Sequence, residues 1–325
     1  MNQLFLFRHG KSDWSVNVDD FNRPIKDRGK RSAQRMGIWL AQQNLQPDLI
    51  ISSPAYRART SAEKLAKAME ASTDLIHIDE RLYHGSIESF MAVLTDPVLI
   101  GLKREGQKIM LVGHNPALEE FLLYLSGNGI DIPDNNKLFP TAALAHFNIP
   151  CTWSKIEEKS GHLIKIQYAK ELDKQFPFPS ANNDQEKRKR PAYYYSQSSV
   201  IPYRFKKGKL EVMLVQSSKR NHYVIPKGII EPGMTAQESA QKEALEEAGV
   251  IGQIDEQAIG EYHYEKWHSQ CHVLVYPLQV SEVVSNKKWQ ESHRGRQWMS
   301  IKEASIKIYQ PAIKLLLQNL AKQKL

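Results

Sequence analysis

The stretch Pro226–Val250 reads PKGIIEPGMTAQESAQKEALEEAGV. Gly228, Pro232 and Gly233 mark a loop, and a helical pattern follows from Ala236 to Ala248. Thr235 can cap that helix, and Glu238, three residues on, suits a capping box. Gly249 fits the C-terminal stop. Glu243, Glu246 and Glu247 stand at i, i+3 and i+4, so they are expected on one face. Like charges stacked in this way cost a helix roughly a few tenths of a kcal/mol per pair. The cluster makes sense where a hard cation neutralises it, and oxygen ligands favour Mg²⁺ or Mn²⁺. Such an ion can activate water against a phosphoanhydride and offset charge on its bridging oxygens.

Working outward, strands are expected at Ser199–Tyr203, Leu210–Gln216, Ala258–Tyr264 and His272–Val280, with a further helical region at Ile301–Leu320. This is an α+β pattern with a mixed sheet. The first half has another style. Apolar runs at Gln3–Phe7, Leu49–Ser52 and Lys108–Val112 alternate with helical patterns at Gly29–Gln43, Thr60–Ala71 and Ser86–Leu94. That alternation predicts a mostly parallel α/β sheet, whose ligands bind beyond the carboxyl ends of the strands. Between the halves lie Phe176-Pro177-Phe178-Pro179, a polar run and the basic Lys187-Arg188-Lys189-Arg190. Little there can be buried, so residues 169–191 are read as a linker between a domain over 1–168 and another over 192–325.

The composition agrees. The chain has 325 residues, 41% of them hydrophobic and 25% charged, which suits about two soluble globular domains. No uncharged apolar run is long enough to span a membrane. Met1–Phe7 lacks the basic start and long apolar middle of a signal peptide, so none is expected. The formal net charge of +8 favours anionic ligands such as phosphates. Without a helix-turn-helix, zinc-finger or RNP-like motif, a nucleic-acid partner is not expected. Cys151 and Cys271 show no metal-ligand spacing and are read as thiols of a reducing cytoplasm.

In the first half, Arg8-His9-Gly10 follows a strand. Arg23-Pro24, then Ser52-Ser53-Pro54-Ala55-Tyr56-Arg57, then Gly113-His114-Asn115-Pro116 come later, again at strand ends or loops. Phosphoryl transfer wants this inventory. A neutral imidazole can attack phosphorus and hold the phosphoryl group covalently. Arginines clamp the equatorial oxygens with permanent charge and paired donors. This chemistry needs no metal.

Arg8-His9-Gly10 with Ser53-Pro54-x-x-Arg57 and Gly113-His114 resembles the histidine phosphatase superfamily, with its phosphoglycerate-mutase-like fold of helices on both faces of the sheet. Asp19-Asp20-Phe21-Asn22-Arg23-Pro24 followed by Arg28-Gly29 is similar to its small SixA-like, phosphohistidine-phosphatase branch. The resemblance implies that His9 becomes the phosphohistidine and that Arg8, Arg57 and His114 form the phosphate pocket, joined by Arg23. It does not place an acid for the leaving group. Asp19, Asp20 and Glu88 are candidates. His77, His84 and His162 are treated as structural or exposed.

The Pro226–Val250 stretch resembles the Nudix box, which ends in Glu-x-x-Glu-Glu-x-Gly. The likeness is nearest to the branch that includes diphosphoinositol polyphosphate and diadenosine polyphosphate hydrolases, and it implies a fold with a mixed sheet between helices. It makes Glu243, Glu246 and Glu247 the metal ligands, with Glu247 counted among the catalytic residues too. Arg204, Lys227, Arg294 and Arg296 become candidates for phosphate contacts. Met234 stands where the family has its first box glutamate, and Lys242 where it has an arginine.

The expectation is therefore a cytoplasmic, bifunctional phosphohydrolase. Its second half would split an anhydride of a nucleoside or inositol polyphosphate with Mg²⁺ or Mn²⁺. Its first half would remove a phosphoryl group, without a cofactor, from a small molecule or a phosphohistidine protein. The alternative is a phosphohistidine phosphatase whose weakened Nudix half senses a ligand.

Overall fold

The structure is a computed structural model that describes the chain except residues 101–105, 128–129, 131–136, 179–185, 218–221 and 325. It divides into two compact units, Met1–Phe176 and Pro177–Leu325.

In chain order the first unit runs β1 (Asn2–Arg8), α1 (Asp27–Gln42), β2 (Leu49–Ser52), α2 (Tyr56–Ala68) and β3 (Ile76–Ile78). It continues through α3 (Ile87–Leu94), α4 (Pro97–Ile100), β4 (Lys108–Gly113), α5 (Ala117–Ser126), β5 (Leu144–Ile149) and β6 (His162–Gln167). Among the described residues these strands make one sheet in the order β3-β2-β4-β1-β5-β6. The first four are parallel and β5 and β6 are antiparallel, so the sheet is mostly parallel as expected. Leu4–Phe7 and Ile109–Val112 are fully buried, as central strands covered on both faces must be. One face packs Leu4, Leu6, Leu111 and Phe147 against Phe90 and Phe121 of α3 and α5. The other packs Phe5, Phe7 and Met110 against Met36 and Leu40 of α1 and Leu65 of α2. In α1 the buried residues Ala33, Met36, Gly37 and Leu40 recur at i, i+3, i+4 and i+7, the stripe of a helix laid on a sheet.

The stretch 169–191 holds more structure than a linker, and this corrects the sequence reading. Ala169 joins the α1–α2 core, and Phe176 is fully buried. β7 (Phe176–Phe178) pairs with β8 (Glu186–Arg188). The Phe-Pro-Phe run suits a short edge strand, where a proline gives up no ladder hydrogen bond. Residues 179–185 of that stretch lie outside the described residues.

The second unit contains β9 (Ser196–Lys206), β10 (Lys209–Gln216), β11 (Tyr223–Val224), β12 (Lys227–Ile229), α6 (Ala236–Glu243) and β13 (Val250–Ile254). β14 (Gly260–Lys266), β15 (Ser269–Val283), β16 (Arg296–Ser300), α7 (Ile301–Lys307) and α8 (Pro311–Lys324) complete it. The sheet is mixed: β9 lies parallel to β15 and antiparallel to β10 and β12. Val200, Met213 and Tyr276 pack against Ala240 and Ala244 on the α6 side. Ile201, Val212 and Val273 pack against Ile313, Leu316 and Leu317 of α8 on the other. Thr235 and Glu238 form the expected capping box. The helix expected over Ala236–Ala248 is not uniform: after α6 it widens into a π turn over Ala244–Ala248, ended by Gly249 at φ 58°. Such widened turns recur where side chains must be re-aimed at a site.

Candidate active sites

In the first unit three neighbouring parallel strands deliver the chemistry. Arg8 ends β1 in register with Gly113 at the end of β4, and Arg57 opens α2 just beyond β2. The loop after β1 is held tightly from behind by α1. A Cβ built on Gly10 would meet the Gly29 carbonyl oxygen at 2.6 Å, and one on Gly29 would meet the Lys11 nitrogen at 2.6 Å.

His9 is 7% exposed, and its Nδ1 lies 2.7 Å from the Gly10 carbonyl oxygen. A carbonyl only accepts, so Nδ1 carries the proton and Nε2 keeps its lone pair. Burial, with the charges of Arg57 and Arg8, brings the imidazole down to about 4, against the hydrogen bond to Gly10. His114 stands with its ring centroid 4.9 Å away and its Nε2 2.9 Å from Ser53 Oγ. Burial, His9 and Arg57 push it down to about 2. Both rings are therefore neutral near pH 7. Arg8 donates to the Phe139 carbonyl at 2.7 Å, while its buried Nε has no partner among the described residues. Arg57 donates to Asp20 Oδ2 at 2.8 Å. Arg23 lies 3.6 Å from Asp20 and over the ring of Trp14. The expected residues are thus assembled, with Asp20 as the carboxylate between the arginines.

The buried neutral His9 predicts acid sensitivity. Its folded value of about 4 lies below the ordinary 6.5, so the unfolded chain binds more protons between those values. The contribution is present above pH ~6.5 and is lost as pH falls through about 4, amounting to roughly 3 kcal/mol. Thermal melting of the first unit should hold steady above about pH 7 and drop steeply below about pH 6. His9→Asn should flatten that slope; an unchanged slope in the variant refutes the neutral-imidazole assignment.

In the second unit Glu247 accepts from the Lys227 backbone N–H at 3.0 Å and is ion-paired with Arg294. Arg294, 8% exposed, also reaches Glu291 at 2.9 Å. Glu243 presses on Gly228, where a Cβ would fall 1.8 Å from its carboxylate, so a larger residue there would displace the glutamate side chain. Burial, then Glu247 and Glu246, raises Glu243 to about 7. Lys227 is held below the ordinary lysine range by burial, against the pull of Glu247, and its Nζ meets Tyr264 Oη at 3.1 Å.

Several expectations need correction. Among the described residues no three His, Cys, Asp or Glu side chains gather as a metal cage. Glu243 nevertheless feels the charges of Glu247 and Glu246, so the three stand near one another without forming a ready-made cage. The π turn replaces the regular last turn that was expected, and Arg294 is ion-paired with Glu247. Arg296 is committed to the backbone, donating to the carbonyls of Ala248 and Gly249 at 2.7 and 2.8 Å. It holds the end of the π turn instead of waiting for phosphate. Arg204 is engaged by Glu211 at 2.7 Å and stacks on Trp298. Lys242 pairs with Glu231 at 3.1 Å, tying the glycine loop to the helix although Met234 brings no carboxylate.

Sequence reading missed two features. A cavity of about 250 Å³ beside Lys227 is walled by Tyr223, Tyr262, Tyr264, Tyr309 and Ile313. Its walls come from β11, β14 and α8 and the turn before α8, too far apart in sequence to be seen together. His84, set aside as structural or exposed, lines a cavity of about 240 Å³ with Asp20, Arg57, Tyr83 and His114.

Comparison with known proteins gives the families. Residues 4–88 match the model of the histidine phosphatase superfamily (branch 1), and residues 196–320 match the NUDIX domain. The chain thus joins a histidine-phosphatase segment to a NUDIX segment, and both families are hydrolytic enzymes. The NUDIX match implies dependence on a divalent metal in general. Nudix hydrolase 21, chloroplastic, of Arabidopsis thaliana is 38% identical over 120 residues, 35% of this chain and 59% of that protein. An uncharacterised Mycobacterium tuberculosis protein is 27% identical over 164 residues, 48% of this chain and 96% of that one. The solved protein histidine phosphatase SixA complexed with tungstate is 20% identical, covering 53% of this chain and 99% of that one at a TM-score of 0.43. The chain spans about three fifths of the length of the plant relatives it matches. Among the described residues no helix is long and apolar enough to cross a membrane.

Proposed function

We propose that the chain is a bifunctional phosphohydrolase with one catalytic domain in each compact unit, Met1–Phe176 and Pro177–Leu325. In the first, His9 Nε2 attacks phosphorus while Arg8, Arg57 and His114 hold the phosphoryl oxygens, with Arg23 at the edge. The observation that carries this reading is a buried, neutral His9 whose Nδ1 is committed to the Gly10 carbonyl and whose ring feels the charges of Arg57 and Arg8. Its substrate is a phosphomonoester or a phosphohistidine protein.

In the second domain the reaction is hydrolysis of a phosphoanhydride. The residues suit a hard divalent ion such as Mg²⁺. The donors are carboxylate oxygens, and Glu243's raised affinity for a proton marks negative charge that a cation would relieve. Glu243 and Glu247, with Glu246 beside them, would hold that ion, which supplies charge neutralisation and water activation when bound. Lys227 orients Glu247 through its backbone and Tyr264 through its ammonium group. Arg294 is placed to pass from Glu247 to a substrate phosphate.

Of the two anhydride classes we favour the nucleoside. The cavity beside Lys227 offers aromatic faces, which suit a planar base. Among the described residues, Lys227 is the only lysine or arginine lining it, whereas an inositol polyphosphate needs cations on every side. A cytoplasmic location is in keeping with two free cysteines.

The test is product analysis on the full chain with diadenosine polyphosphates and with a diphosphoinositol polyphosphate, in Mg²⁺ and in EDTA. Metal-dependent cleavage of the dinucleotide, with little of the inositol compound, is expected. Preference for the inositol compound overturns the nucleoside reading. Tight nucleotide binding without turnover favours the sensor alternative, which Met234 and the occupied Glu247 make a real competitor.

A further inference from the structure

The phosphatase reading lacks a proton donor for the leaving group, and the three carboxylates expected from sequence are all occupied. Asp19 accepts from Asn22 at 2.9 Å through both its carboxylate oxygens. Glu88 accepts from Ser86 at 2.6 Å at the start of α3. Asp20 is clasped by Arg57 at 2.8 Å and by Tyr83 Oη at 3.1 Å. Burial pushes the Asp20 carboxyl up, but Arg57 and Tyr83 together override it and hold the group below the usual carboxylate range. Asp20 is a fixed anion and a poor acid.

We propose that His84, at the mouth of the pocket that holds Arg57 and His114, is the proton donor to the leaving group. This rests on the phosphatase reading given above. His84 lines the same cavity as Asp20, Arg57, Tyr83, His114 and Asn115. Its ring centroid is 4.0 Å from that of Tyr83, which in turn stands 5.8 Å from His114. It is exposed, whereas His9 and His114 sit deeper in the pocket, so it faces the side from which a leaving group departs. It adopts a left-handed backbone at φ 55°, immediately before Gly85. A histidine held there is uncommon and invites a functional explanation. The groups facing it are Asp20 from the loop before α1, Arg57 from α2, Tyr83 from its own loop, and His114 after β4.

The step balances without a co-reactant. As the bond from His9 Nε2 to phosphorus forms and the bond to the leaving oxygen breaks, the imidazolium of His84 gives that oxygen its proton. Neutral His84 then takes a proton from the water that attacks the phosphohistidine. The electron pair of the broken N–P bond returns to His9, and inorganic phosphate leaves. Such a donor matters for ester substrates, whose alkoxide leaves poorly, and little where the leaving group is already stable. The domain is therefore fitted for phosphate esters as well as for phosphohistidine.

The experiment compares glycerol 2-phosphate with 2,4-dinitrophenyl phosphate on the full chain, wild type against His84→Gly and His84→Asn. Both replacements tolerate a left-handed backbone, so neither should unfold the loop. In kcat/KM, which reports phosphoryl transfer to His9 and not the shared hydrolysis step, the glycerol ester should fall by about 10²-fold or more, while the dinitrophenyl ester changes by only about threefold or less. Added imidazole should restore part of the His84→Gly loss. Equal losses on both esters, or no loss on either, overturn the assignment of His84. A wild-type chain that leaves both esters intact overturns the donor, and one that also leaves a phosphohistidine protein intact overturns the phosphatase reading with it.

Discussion

His9→Ala is expected to lower phosphatase turnover by at least about 10³-fold while leaving anhydride cleavage unchanged. In the proposed mechanism the His9 imidazole is the group that becomes covalently bonded to phosphorus. Its Nδ1 is committed to the Gly10 carbonyl, which leaves Nε2 as nucleophile. Arg8, Arg57 and His114 would remain in the variant and still bind phosphate, so affinity should persist where turnover fails. The fold should persist as well, because the loss of a desolvated ring offsets part of the cavity it leaves. In the wild type, brief exposure to a phosphorylated substrate should trap an acid-labile, base-stable phosphoryl group on the protein. Retention of a tenth of the wild-type rate by His9→Ala would falsify the nucleophile assignment. The two units have separate cores, so a loss confined to one activity is the expected signature.

Glu247→Gln should lower anhydride cleavage by about 10²- to 10³-fold, with the phosphatase untouched. Glutamine keeps the shape and can still accept from the Lys227 N–H, but it removes the charge. Two consequences follow from that one change. The site loses a ligand oxygen of full negative charge, so divalent-ion affinity drops in a titration followed without substrate. Arg294 keeps Glu291 but loses Glu247, and its buried Nε has no partner among the described residues. A buried guanidinium with one carboxylate removed should cost the second unit about 1–3 kcal/mol. Cleavage within threefold of wild type would place the catalytic carboxylate elsewhere.

The legible parts of this protein are those written in one short string. Arg8-His9-Gly10 and Gly113-His114 follow buried strands, and parallel pairing of β1 with β4 brings them side by side. The helix face bearing Glu243 and Glu247 is likewise local. What failed depended on partners far along the chain. A count of cations cannot tell that Arg296 serves the carbonyls of Ala248 and Gly249, or that Arg204 is claimed by Glu211. Periodicity does not announce a π turn, because the same residues read as an ordinary helix up to Gly249. The short strands β5, β6, β13 and β16 went unseen because alternation over so few residues is weak. His84 was passed over because its neighbours, Asp20, Arg57 and His114, come from three other parts of the chain.

Gly10 and Gly29 meet across the back of the nucleophile's loop: a side chain on Gly10 would run into the Gly29 carbonyl, and one on Gly29 into the backbone of Lys11. Gly29 has no side chain to offer the reaction and lies on α1, behind the loop that carries His9. In a map of mutational tolerance it should nonetheless behave like His9 itself. A methyl group there has nowhere to go except into the backbone that carries Lys11, and the reaction centre would shift with it. A collection of random variants sorted only by distance from the phosphate would miss this position, and one sorted by lost phosphatase activity would find it early.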